Sequence, residues 1–347
     1  MGSLDGGNVM RGFQRFVVWV VLLGLCAVAT AAEPAKRGQI TGGVAHSAPD
    51  WFKESFLEIA DDVREAAEEG RHVLLFFQLN GCPYCDRMLT ESFETDPLTS
   101  YIQEHFDVIA INVRGDRQIA FNAEYSATEK ELSEKLNVWA TPGIIFLNSD
   151  NKPVVRVDGY RAPERFALIL RFVATKAYEK QKLTAYLKQH LVDEAYTLRE
   201  HPLFKDLADF SSIEGPLAVI FEDAQCHDCA EFHERTLADP AVIEELKKFT
   251  VVRLDARSSA PIIDADGNST TAGQWAEELE MTYRPGVVLY ADGKLLRRYD
   301  SLVYRHHFKE GLRWIGSGSY KQESYASYSA RRTEELLEAG IDIDLSR

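Results

Sequence analysis

The sequence repeats itself. Cys82-Pro83-Tyr84-Cys85 returns 144 residues later as Cys226-His227-Asp228-Cys229, and Pro142-Gly143 returns 143 residues later as Pro285-Gly286. Asp96-Pro97 matches Asp239-Pro240 at 143, Leu170-Arg171-Phe172-Val173 matches Leu312-Arg313-Trp314-Ile315 at 142, and Tyr178 and Tyr186 match Tyr320 and Tyr328 at 142. Agreement along a whole module, to within two residues, marks a duplicated unit and not a chance recurrence of one motif. With 347 residues the chain also exceeds what one hydrophobic core usually organises, so two domains are expected.

Each copy shows the same alternation of patterns. In the first, Phe56, Ile59, Ala60, Val63, Ala66 and Ala67 form a helical stripe, and the continuous apolar run Val73 to Phe77 suits a buried strand. A helix after Cys82, a strand near 108–113, a polar helix near 129–136, strands at 143–147 and 153–157, and a helix over 163–178 follow. The second copy has matching strands near 217–221, 251–254, 287–290 and 295–299. A βαβ start, a hairpin and a closing helix give a four-stranded mixed sheet covered on both faces, so the fold class is α/β. The join falls in the polar, helix-prone stretch 180–200, and the Tyr/Ser-rich segment after Gly318 is expected to pack locally or fray.

Arg11 and Arg15 precede an apolar run from Phe16 to Ala32 that closes on small residues, the order of a secretory signal. Cleavage after residue 32 frees the chain, and an uncleaved segment anchors it in a membrane. Residues 1–32 carry Arg11, Arg15 and Asp5, so their removal takes the net charge from −15 to −16. That charge opposes a phosphate backbone, and no Lys/Arg cluster interleaved with aromatics offsets it, which sets nucleic-acid binding aside.

Of five cysteines, Cys26 lies in the signal-like segment, which leaves Cys82, Cys85, Cys226 and Cys229. Cysteines three apart close too small a loop to restrain an unfolded chain much, so chemistry explains them better than stability. In Gly81-Cys82-Pro83-Tyr84-Cys85, between a buried strand and a helix start, the Cys82 thiol is expected to face unpaired backbone N–H groups that favour the thiolate. Pro83 suits the first helical turn, and Cys85, one turn on, is placed to resolve a mixed disulfide on Cys82. Zinc would need both pairs, or added His, brought together, and covalent haem needs a His where Asp86 and Ala230 stand. No metal or other cofactor is expected. Pro142 after Thr141, and Pro285 after Arg284, stand at strand entries where a cis bond would hold the chain against each pair.

With these landmarks the chain resembles two tandem thioredoxin-fold domains: residues 45–182 with Cys-Pro-Tyr-Cys and 200–320 with Cys-His-Asp-Cys, followed by a tail at 321–347. The resemblance implies Cys82/Cys85 and Cys226/Cys229 as redox pairs and Pro142 and Pro285 as the cis-prolines. More narrowly, 74–85 together with Leu170 to Val173 and Tyr178 is similar to the SoxW-type periplasmic thioredoxins of sulfur-oxidising bacteria. That likeness implies a periplasmic reductant carrier acting on protein thiols or disulfides. A membrane thiol transporter would feed it, and it would serve sulfur oxidation or cytochrome maturation.

Several residues depart from the family pattern. Many thioredoxins carry a buried Asp six residues before the first cysteine, where Phe76 and Ile220 stand here, so proton transfer needs another group or water. Glu222 is a candidate for it in the second module, with a hydrogen-bonded strand-end carboxylate as the alternative. A protonated His227 favours the Cys226 thiolate and Asp228 opposes it. Arg284 brings either a cation toward Cys226 or a salt bridge, and His233 reads as structural. An isomerase or oxidant fits the same residues, since reduction potential sets direction, as does a second copy that only docks a partner.

Overall fold

The computed structural model describes residues 36–138, 140–191 and 196–346. The signal-like segment with Cys26, and the membrane-anchor alternative, lie outside the described residues. No helix among the described residues is long and apolar enough to cross a membrane.

In the first module His72–Gln78 pairs in parallel with Phe106–Asn112 and antiparallel with Gly143–Leu147, which pairs antiparallel with Pro153–Asp158. The second module has the same order, with Leu217–Glu222 flanked by Thr250–Asp255 and Gly286–Ala291, and Lys294–Tyr299 at the edge. The continuous apolar runs follow from burial on both faces. Successive strand residues point to opposite sides, so Leu74 and Phe76 pack with Phe93, Phe166 and Leu170, while Val73, Leu75 and Phe77 pack with Ile59, Val63 and Leu132. Ala218 and Ile220 face Phe232, Phe308 and Leu312, and Val219 and Phe221 face Phe210 and Trp275. At about 1.5–3 kcal/mol per fully buried large side chain, these four half-cores are the main favourable term in the fold.

Several expectations need correction. Phe56 precedes the helix Ile59–Glu68 and is 99% exposed, because the stripe begins where the helix begins. A short hairpin, Gln118–Asn122 with Tyr125–Thr128, stands between the second strand and the helix Glu129–Lys135, and its counterpart is Pro261–Ile263 with Ser269–Thr271. These strands are half-exposed and too short to carry a periodic signal. The second copy does not open with a helix: over the described residues 196–216 the chain is extended or turning, and Phe204 and Asp209 bridge to Val251 and Ile263. Pro202, Gly215 and Pro216 disfavour a helix there.

The segment after Gly318 neither frays nor packs only locally. The helix Tyr325–Glu338 repeats Leu183–His190 of the first copy, each reached through a left-handed residue, Gly318 or Lys176, and a short 3₁₀ turn. Beyond it Ile343–Asp344 pairs in parallel with Ile40–Thr41, and Val44 then bridges Gly81 beside the first cysteine pair.

The modules meet through the ends of their edge strands. Arg161, 0% exposed, donates to the Asp300 carboxylate at 2.9 Å, to the Asp300 carbonyl at 2.7 Å and to Thr282 Oγ1 at 3.1 Å. Asp158 takes the Arg298 guanidinium from the other side. Gly159 lies so close to Ser301 that a Cβ there would sit 2.3 Å from the serine Cβ, and with φ +76° the position suits glycine on both counts.

Candidate active site

Cys82 caps the N-terminus of the helix Pro83–Met88, with Pro83 in the first turn. The Cys85 N–H donates to Cys82 Sγ at 3.2 Å and the Thr141 hydroxyl donates to it at 3.4 Å, while the Thr141 carbonyl lies 3.5 Å away. The Cys82 thiol is held below its ordinary value, first by the Cys85 thiol bonded to it and then by Thr141 and the N–H groups of Cys85 and Tyr84, against the opposing effect of burial. Cys85, fully buried, is driven upward by burial and by the same bond to Cys82. One sulfur is therefore prepared as a thiolate and its neighbour is kept protonated until needed. Both cysteines are free thiols in this structure.

The Thr141–Pro142 bond is cis, and the Pro142 carbonyl accepts the Gly159 N–H at 2.7 Å, which ties the loop facing Cys82 to the inter-module boundary. Phe76, six residues before Cys82, is buried in the apolar core. No carboxylate stands at that position, so a proton leaving Cys85 must travel by another group or by water.

The second pair is built differently. Cys226 and Cys229 form a disulfide, and the helix starts only at Cys229, with Asp228 in the cap position. Cys226 thus sits in a turn, its N–H donated to the Asp223 carbonyl, and not at a helix cap as expected. His227 lacks the preset φ that Pro83 gives the first turn of the other helix. The His227 side chain is mostly exposed, with Nε2 3.9 Å from Asp228 Oδ1. Asp228 accepts a hydrogen bond from the Tyr283 hydroxyl, and burial raises its carboxyl above the ordinary range.

Arg284 precedes the cis Pro285 bond, but its Nε donates to Asp223 at 2.9 Å and its Nη1 to the Met281 and Tyr283 carbonyls. It forms a largely buried salt bridge and braces the loop. Glu222 is fully buried, accepting from His233 Nε2 at 2.7 Å and from the Tyr196 hydroxyl at 3.1 Å. Two residues read separately in the sequence are thus one buried pair, which the connector residue Tyr196 completes.

The two pairs open into separate cavities that share no lining residue among the described ones. Cys226, His227 and Ala230 border a broad depression of about 530 Å³ together with connector residues 196–199. Cys82 and Thr141 line a cavity of about 330 Å³ whose far wall is residues 297–303 of the second module, with Tyr325 and Leu345. Tyr84 stacks on Tyr304 of the second module, ring centroids 4.9 Å apart. Sequence reasoning missed Arg161, Asp300 and Tyr304. One signal was present: Arg156 and Asp158 recur as Arg298 and Asp300, at the repeat spacing, where the neighbouring loop residues differ. Among the described residues, no group of three or more His, Cys, Asp or Glu is placed to hold a metal ion.

A profile of the thioredoxin-like domain family matches the chain twice, over residues 59–174 and 203–314, more than half its length. No curated protein matches it. Among solved structures it is similar to a thioredoxin-fold protein from Helicobacter pylori, at 25% identity and a TM-score of 0.32, over 35% of this chain and 84% of that one. A thioredoxin from Thermus thermophilus aligns at 25% identity and a TM-score of 0.28, over 34% of this chain and 85% of that one. The periplasmic thioredoxin SoxS from Paracoccus pantotrophus, in its reduced form, aligns at 23% identity and a TM-score of 0.23, over 31% of this chain and 99% of that one.

Proposed function

The chain belongs to the thioredoxin-like domain family through both of its halves, and from that premise we propose that it is an exported thiol–disulfide oxidoreductase, a periplasmic reductant carrier with two working cysteine pairs. The observation that carries the reading is the asymmetry at the first pair, where donors converge on Cys82 Sγ while Cys85 is buried one turn behind it. Cys82 attacks a disulfide sulfur and expels one thiolate. Cys85 then gives up its proton, attacks Cys82 and releases the second thiol, so two electrons leave the protein as a Cys82–Cys85 disulfide forms.

Pro83, Thr141 and Pro142 shape this site, and Tyr84 helps to cover it. At the second pair Cys226 attacks and Cys229 resolves. His227, Asp228 and Pro285 shape that site, Arg284 braces its loop, and Glu222 acts as a structural partner of His233. The depression beside Cys226 is where a protein thiol or disulfide docks, since it is the broader of the two and exposed His227 stands on its rim. Export rests on the signal-like residues 1–32, and with it the expectation of a membrane thiol transporter as donor and a sulfur-oxidation or cytochrome-maturation partner as acceptor. Separate cavities favour two sites that work independently over a relay from one to the other.

Resolving-cysteine variants test the chemistry. Cys85→Ser and Cys229→Ser should each accumulate a mixed disulfide, seen as added mass that a reductant removes, and Cys82→Ser and Cys226→Ser should not. Reduction potentials of each pair, with the other replaced by serine, should lie at or below that of glutathione; values far above it would make the protein an oxidant or isomerase.

A further inference from the structure

Cys82 is 6% exposed and Cys226 2%, so exposure does not separate the two pairs, and what stands in front of each sulfur does. The cavity onto which the Cys82 sulfur opens is closed on the far side by Arg298, Ser301 and Leu302 of the second module and by Tyr325 and Leu345 of the C-terminal segment. Tyr304 stacks over Tyr84 at one edge. At another, Val44 bridges Gly81, and the strand just before it, Ile40–Thr41, is pinned to Ile343–Asp344. The cover is clamped: Arg161 and Asp300 are 0% and 2% exposed and bonded to each other across the boundary, with Asp158 and Arg298 paired beside them.

A folded protein that docks specifically needs roughly 800 Å² of matching surface on each partner. The space in front of Cys82, about 330 Å³, is at the small end of ordinary small-molecule sites, which start near 300 Å³, and equals the volume of roughly eleven liquid waters. It is partly open to solvent, so a small solute reaches the sulfur while a protein surface meets the second module first.

We propose that the Cys82/Cys85 pair reduces a low-molecular-weight disulfide that enters the inter-module cavity, and that protein partners are left to the second pair. This rests on the reading of Cys82 as the attacking thiolate. The thiolate attacks one sulfur of R–S–S–R, forming Cys82–S–S–R and expelling RS⁻, which takes a proton from water. Cys85 loses its proton to water, attacks the Cys82 sulfur and expels the second RS⁻. Two electrons pass to the disulfide, the protein keeps a Cys82–Cys85 bond, and two RSH leave.

The test uses the full chain with Cys226→Ser and Cys229→Ser, so that only the first pair reacts. The reduced protein is mixed with bis(2-hydroxyethyl) disulfide or with insulin at equal disulfide concentration, and remaining thiols are counted by mass after acid quench and alkylation. The small disulfide should oxidise the pair at least tenfold faster than insulin. Arg161→Glu, which sets two carboxylates against each other at the clamp, and Tyr304→Ala, which removes the stacked cover, should each raise the insulin rate at least fivefold and change the small-disulfide rate less. Tyr304→Ala carries the same test if the charge reversal does not fold. Equal rates for the two oxidants in the parent, or a rate ratio that neither variant lowers, would overturn the proposal. If neither oxidant reacts with the native parent while the denaturant-unfolded chain reacts with both, the assignment of Cys82 as nucleophile fails, and this proposal fails with it.

Discussion

Replacing Arg161 by alanine removes a fully buried cation that reaches both modules. Its guanidinium donates to the Asp158 carbonyl at 2.7 Å and the Tyr160 carbonyl at 3.1 Å on its own side, and to Thr282 Oγ1, the Asp300 carbonyl and the Asp300 carboxylate across the boundary. Breaking a buried ion pair by deleting one partner costs about 3–5 kcal/mol, because the other charge is left without compensation. Two features move the value within that range. Asp300 keeps the Tyr283 N–H at 2.7 Å and the Thr282 hydroxyl at 2.6 Å, which lowers the cost. Three carbonyls, those of Asp158, Tyr160 and Asp300, lose a buried donor, which adds back about 1–3 kcal/mol for each that water does not reach. The expected loss is therefore about 4 kcal/mol.

The four half-cores do not cross the boundary, so the loss should fall on coupling between modules more than on either module alone. Urea unfolding followed by tryptophan fluorescence and near-UV circular dichroism should change from one transition to two. A cycle of Arg161→Met with Asp300→Asn should give a coupling energy of at least about 1.5 kcal/mol, within the range for residues in direct contact. A loss under about 1 kcal/mol with a single transition retained would refute the claim that this pair joins the modules.

Thr141→Val removes a hydroxyl that donates to Cys82 Sγ at 3.4 Å. A hydrogen bond worth about 0.5–1.5 kcal/mol to the thiolate corresponds to a rise of roughly 0.4–1 pH unit in the Cys82 pKa, read from iodoacetamide reactivity against pH; no rise would mean that the hydroxyl does not touch the thiolate. Burial moves His72 from its ordinary 6.5 to about 4, with Lys176 and His105 adding to the effect. The folded state holds it neutral while the unfolded chain takes up a proton first, so its contribution is full above pH 6.5 and is lost as pH falls toward 4. Allowing for solvent at the ring, this is roughly 2 kcal/mol, and His72→Phe should flatten the acid limb of stability against pH; an unchanged slope would show that His72 titrates normally in the fold.

Parts of this molecule are legible from short stretches of chain because local geometry enforces them. A run such as Val73 to Phe77 is buried on both faces wherever it pairs, and Pro83 after Cys82 begins a helix whatever lies beyond it. The same reasoning failed at His227. There the equivalent spacing does not start a helix at the first cysteine, because no proline sets the turn and Asp228 takes the cap. It failed again at 196–216, where Phe204 and Phe210 cover the second sheet without a helix between them. Arg161, in Gly159-Tyr160-Arg161-Ala162-Pro163, has the composition of a solvent loop, and nothing within several residues distinguishes it from an exposed arginine. Glu222 and His233 illustrate the same limit, since their bond depends on how a strand end faces a π-helical turn eleven residues on.

By itself the sequence determined the duplication, the two four-stranded sheets, the cysteine pairs and the prolines at the strand entries. All of these are set by periodicity, spacing and backbone preference along contiguous chain. Only the tertiary structure decided how unequally the duplicated pairs are housed, one in a cavity walled by both modules and the other beside a broad depression lined by its own module and the connector. That inequality comes from which surfaces meet when two similar domains pack, a matter of Arg161 finding Asp300 and Tyr84 finding Tyr304 across more than a hundred residues of sequence. No local preference encodes such a contact, because its free energy exists only once both partners have been buried together.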